Sequence, residues 1–175
     1  VILPEALRAH DALDVALPDE RTVRIPRCLP EFPRWTGPPV EFPYGGKPLV
    51  AHSERALWAE FKIASLFRDA GWEALVVQAF GGIHYLDEMK RGDDDRGVKL
   101  PDLAQGLFAR IAEHNGGFGG FFDVFAWRKD DVVFAEAKLS KQDRLQSTQK
   151  RWIAAALAAG VPVESLLIVE WTFAS

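Results

Sequence analysis

Two apolar segments, 121–127 and 132–137, are separated only by Arg128-Lys129-Asp130-Asp131, and no other feature restricts the fold of this chain so tightly. Both are rich in Phe, Val and Ala, and the aromatic and β-branched residues suit a pleated, half-buried surface. The short polar link leaves room only for a tight turn, so the spacing predicts an antiparallel hairpin centred between Lys129 and Asp130. In that register Trp127 faces Val132, Phe125 faces Phe134 and Asp123 faces Glu136. Strand side chains alternate, which puts Lys138 on the same side as Glu136. Opposed carboxylates repel across a sheet. Charges set among Phe121, Phe122, Val124, Val133 and Ala135 must be paired or hold a cation. Such oxygen ligands suit Mg²⁺ or Mn²⁺, which keep waters and bind through one or two carboxylates. A Glu136–Lys138 pair on an exposed sheet face is the alternative that hairpin geometry leaves open.

The rest of the chain reads as elements that could surround this hairpin. Nine of the eleven prolines fall in the first 50 residues. Proline fixes φ and removes a donor, so this stretch is not expected to be a run of regular elements. We read residues 1–50 as a proline-rich N-terminal arm that packs on the core through Phe32, Trp35, Phe42 and Tyr44. Within it, 5–15 is expected as a short helix and 22–25 as a short strand. Ser53 looks like an N-cap with Glu54 in the first turn. The stripe Leu57, Phe61, Ala64, Leu66, Phe67 and Ala70 then predicts a helix ended by Gly71. Residues 72–80 read as a strand, and 81–100 as a loop holding the acidic Asp93-Asp94-Asp95. Pro101 opens a helix to about His114. Residues 118–127 and 132–138 are the two central strands, 144–159 a helix stopped by Gly160 and Pro162, and 166–171 a last strand. This order predicts an α/β domain over 51–175, a mixed β-sheet flanked by helices.

Charge and composition narrow the function classes. No apolar run approaches the ~20 residues of a membrane helix, and residues 1–5 do not look like a signal peptide. Position 1 is Val, as in a piece of a longer chain. Cys28 is alone, so there is no internal disulfide and a reducing cytoplasm is the default location, with the nucleoid implied for a bacterial DNA-binding protein. The net charge of −4 does not suit a general nucleic-acid coat. From Lys138 to Arg151, however, five basic residues stand against one acid, Asp143. A solvated helix face would carry the same pattern. The scattered histidines have no zinc spacing. The loop Gly116-Gly117-Phe118-Gly119-Gly120 is similar to a phosphate-binding loop but lacks the following Lys-Ser/Thr and leads into a strand, so we read it as a turn.

Phe122-Asp123 followed by Glu136-Ala137-Lys138 resembles the D…(E/Q)xK signature of PD-(D/E)XK nucleases. Asp143-Arg144-Leu145 with Gln149 and Trp152 is similar to the helix that follows in the VRR-NUC branch, which includes the nuclease domain of Fanconi-associated nucleases. The resemblance runs from about Ser53 to the C-terminus, and it departs at Phe122, where the pattern has Pro. It implies a restriction-endonuclease-like fold and Mg²⁺- or Mn²⁺-dependent hydrolysis of DNA, structure-specific on flaps or branches, in repair or recombination. Asp123 and Glu136 would then ligate metal together with the Ala137 carbonyl. Lys138 would orient or activate the attacking water, and Gln149 would help position it or a phosphate. A first-helix acid completes such sites, here Glu54, with Glu60 close behind. Lys141, Arg144, Lys150 and Arg151 would grip DNA phosphates, and a homodimer would suit a symmetric junction. The alternatives are a non-catalytic nucleic-acid-binding module of the same fold, or a nuclease serving restriction or toxin delivery.

Overall fold

A computed structural model of the chain describes residues 1–40, 46–79, 82–89 and 97–175. Phe42, Tyr44, Phe80 and the Asp93-Asp94-Asp95 run lie outside the described residues. The expected hairpin is present and its register matches from Val124 onward, but the strand expected from 118 begins only at Val124, so Asp123, expected opposite Glu136, lies just outside the paired residues. Strands β8 (Val124–Arg128) and β9 (Asp131–Leu139) pair antiparallel with Val124 opposite Ala135, Phe125 opposite Phe134 and Trp127 opposite Val132. The turn is two residues long, and Lys129 takes a left-handed φ of 54°.

Around this hairpin the chain builds a mixed eight-stranded sheet. Its earlier strands are β1 (Asp11–Ala16), β2 (Thr22–Cys28), β3 (Glu31–Phe32), β6 (Glu73–Gln78) and β7 (His84–Leu86), and its last is β10 (Leu166–Phe173). The order is β1-β2-β10-β9-β8-β6-β7, with β3 also pairing β10. Strands β2, β3 and β9 run parallel to β10, and the other pairs are antiparallel. A separate hairpin, β4 (Val50–His52) and β5 (Arg55–Leu57), precedes the first helix.

Alternation along the central strands divides the core into two faces. Ala74, Val76, Val124, Ala126, Val133, Ala135, Leu167 and Val169 pack with helix α1 (Ala59–Asp69) through Phe61, Ala64 and Phe67. Leu75, Val77, Phe125, Phe134, Leu166 and Ile168 face the other way. There they meet α2 (Asp102–Asn115) and α3 (Ser147–Ala158), through Phe108, Ile111, Trp152 and Ile153. Burial on both faces explains why these strands read as nearly continuous apolar runs. Trp152 is fully buried, with ring centroids 4.5 Å from Phe122 and 5.2 Å from Phe121 and Phe134. That contact anchors α3 to β9 and to the segment entering β8.

Several expectations need correction. The first 32 residues do form regular elements. Only Glu5–Leu7 is helical, as a single 3-10 turn, and 11–16 is a strand, not part of a helix. Leu13, Val15 and Leu17 follow a period of two, and pairing with β2 turns Val15 and Leu17 into the core. β2 continues through Pro26 to Cys28. It can do so because β10 joins only at Arg27 and Cys28, leaving Pro26 with a partner on one side. The region 81–100 contains β7, a three-residue strand too short to show a period. The helix expected at 144 starts at Ser147. Asp143 instead folds back, its carboxylate accepting from the Leu139 N–H at 2.9 Å, a local bond that competes with helix.

Candidate active site

Glu136 and Lys138 lie on β9, and Asp123 stands just before β8, beyond the last paired residue Val124, where its carboxylate reaches β9 at the Ala137 N–H. Lys138 Nζ is 2.8 Å from Glu136 Oε1. The Gln149 side-chain N–H donates to the same oxygen. Gln149 is fixed in turn by the start of α3, where its Oε1 accepts from the Gln146 N–H at 2.9 Å in a capping box. The glycine loop supports this placement. Gly116 closes α2 at φ 71°, and Gly120, at φ 78°, lies so close to the Thr148 carbonyl that any Cβ would collide with it. The loop is thus a turn that lets the first turn of α3 reach the sheet.

The Asp123 carboxylate is partly open to solvent and accepts from the Ala137 N–H at 3.0 Å. Glu136 is buried, and among the described residues its Oε2 has no hydrogen-bond partner. Desolvation, then the Glu60 carboxylate, push the Asp123 carboxyl up to about 6, against the Ala137 N–H, Lys138 and Lys47. Desolvation and the Asp123 charge raise Glu136 well above the ordinary range despite Lys138. Both carboxyls therefore hold their protons to higher pH than usual, chiefly because they are desolvated.

Glu54 is not in this cluster. Ser53 and Glu54 form the exposed turn between β4 and β5, with Ser53 at φ 53° and His52 paired to Arg55. The helix starts five residues later, at Ala59, and its first-turn acid is Glu60. Of the two acids, Glu60 is the one whose charge reaches Asp123. It also adds Lys47, which the sequence reading did not single out. Lys47 Nζ lies 2.6 Å from Glu60 Oε1 and within the electrostatic reach of Asp123 and Glu136. No periodicity marks it, because it sits in a Gly- and Pro-rich stretch where only tertiary pairing gives a lysine its place.

Of the expected phosphate-gripping residues, Lys141 and Arg144 are exposed on the connection after β9. Lys150 is half-buried on α3, and the exposed Arg151 reaches toward Asn115, which organises the glycine loop through the Gly117 and Gly119 carbonyls. Cys28 is buried with its thiol pushed up to about 12 by desolvation, which removes it as a nucleophile.

Among the described residues no three His, Cys, Asp or Glu side chains form a ready metal cage. The donor set still fits a hard divalent cation that retains waters: two close carboxylates, one oxygen of which is buried and unpartnered, beside the Ala137 backbone. Compared with known protein families, curated proteins and solved structures, the chain has no match.

The raised carboxyls make stability depend on pH. In the folded, metal-free chain Asp123 holds its proton to about 6, against 3.8 ordinarily. The stabilisation is complete below the lower value and is lost as pH rises through the upper one. The melting temperature in EDTA should therefore fall between pH 4 and pH 7 relative to an Asp123→Asn variant, and Mn²⁺ should reverse the loss at pH 7. Parallel profiles for the two proteins would contradict the assignment.

Proposed function

We propose that this chain is a Mg²⁺- or Mn²⁺-dependent nuclease that hydrolyses DNA phosphodiester bonds, with a restriction-endonuclease-like domain related to the VRR-NUC branch and a preference for flapped or branched DNA. The observation that carries the reading is the asymmetry of Glu136. One oxygen is saturated by Lys138 and Gln149, and the other is buried with no partner. A side chain serving only as a structural ion pair gains nothing from that arrangement, since an unsatisfied buried acceptor costs about 1–3 kcal/mol.

In this reading Asp123 and Glu136 would hold the ion, with the Ala137 carbonyl available beside them. The bound ion supplies Lewis acidity at the phosphate and lowers the pKa of a water. The protein's own groups do the positioning. Gln149 and Lys138 fix the Glu136 carboxylate in one orientation. The Lys138 ammonium, beside that carboxylate, can hold a water by hydrogen bonding and stabilise negative charge developing on the phosphate. Lys141, Arg144 and Arg151 offer backbone-phosphate contacts along the connection from β9 to α3, without reading bases. Lys150 stands next to them, partly covered.

The deciding experiment incubates the purified chain with flap, junction and single-stranded DNA in Mg²⁺, Mn²⁺ or EDTA. Cleavage only with a divalent cation, leaving 5′-phosphates, is the expected result. Binding without cutting on every substrate would favour a non-catalytic module.

A further inference from the structure

Glu60 and Lys47 form an ion pair at the site that the hydrolytic reading leaves unused. Glu60 is 8% exposed at the start of α1, and Lys47 Nζ sits 2.6 Å from its Oε1 and 5.5 Å from the Trp58 ring centroid. Glu60 and Trp58 hold the ammonium from two directions, while about half of the lysine side chain remains open to solvent. An ammonium has three donors. One is used by Glu60, and among the described residues no acceptor is shown for the other two. Glu60 does not join Asp123 and Glu136 in a three-carboxylate group. Its near partner is the lysine.

A partly exposed ion pair adds little stability by itself. A partly exposed cation held within reach of two carboxylates does something else. It offers donors to an anionic chain that must approach two carboxylates. We propose that Lys47 is a phosphate-binding residue of this site, and that Glu60 is its positioning residue and not a third metal ligand. The proposal rests on the nuclease reading. It gives the segment before β4, outside the region of family resemblance, a part in holding substrate.

Two measurements on the full chain test it. The first is Mn²⁺ calorimetry without DNA. Glu60→Gln should keep wild-type affinity within about twofold, while Asp123→Asn should lose at least about tenfold. An equal loss in both variants would overturn the role given to Glu60. The second is binding of a fluorescent flap oligonucleotide across NaCl concentrations, in EDTA and in a cleavage-deficient Glu136→Gln background. Lys47→Met should weaken binding about tenfold and lower the slope of log K against log salt by about 0.7–0.9, the loss of one phosphate contact. Lys47→Arg should restore both. An unchanged slope in Lys47→Met would overturn the phosphate contact. Wild-type chain that takes up no Mn²⁺ would instead overturn the nuclease reading, an outcome that the slope measurement does not share.

Discussion

Glu136→Gln should lower metal-dependent cleavage by about 10²–10⁴-fold while raising the melting temperature of the metal-free protein. The two effects have one origin. Glu136 is buried beside Asp123, its carboxyl is raised by desolvation and by that neighbour, and its Oε2 is unpartnered. Removing the charge relieves the repulsion but deprives a cation of its ligand. Lys138→Ala should abolish cleavage to a similar extent with the opposite effect on stability. It leaves the Glu136 carboxylate without the ammonium 2.8 Å away, and an unpaired buried charge is costly. Cleavage assays and thermal melts in EDTA read both quantities. Wild-type activity in either folded variant would remove these residues from the site, and equal shifts in melting temperature would contradict the electrostatic account.

The largest loss of stability is expected from Trp152→Ala, at about 3–5 kcal/mol. The indole is fully buried among Phe121, Phe122 and Phe134, so its removal leaves a large cavity. For a chain of this size the melting temperature should fall by roughly 6–20 °C. Activity should decline even where the variant stays folded, because Trp152 lies one turn along α3 from Gln149. Denaturant unfolding gives the free energy, and kcat measured well below the melting temperature gives the second effect. A loss under about 1 kcal/mol would show that α3 is held by other contacts.

The sequence made the centre of the molecule readable and its beginning much less so. The pairing of β8 with β9 followed from two apolar segments joined by four polar residues, and it drew attention to Asp123, Glu136 and Lys138. Gln149 was reached through family resemblance, since nothing local says that a capping glutamine turns toward a strand. Ser53-Glu54 misled for a physical reason. A small polar residue followed by an acid suits an N-cap and also suits a two-residue turn, and only the pairing of Val50 with Leu57 decides between them. The prolines misled in the same way. Pro18 lies inside the β1–β2 turn, right after Leu17, and Pro26 has a partner on one side, positions where a missing N–H costs little. Lys47 was illegible because its partner Glu60 is fixed by the fold and not by spacing.

Arg27 is where the beginning of the chain meets its catalytic-looking end. Its guanidinium binds Asp11 on β1 and also Glu170 on β10, at 2.9 Å, and Glu170 takes the Ser140 hydroxyl just beyond β9 at 2.8 Å. The first 32 residues therefore close the flank of β10 and steady the exit from β9. A fragment starting at residue 51 would keep every proposed metal ligand but lose Lys47, and would be a poor substitute for the whole. It would leave β10 with a bare row of backbone donors and acceptors, a template for pairing with another molecule of itself.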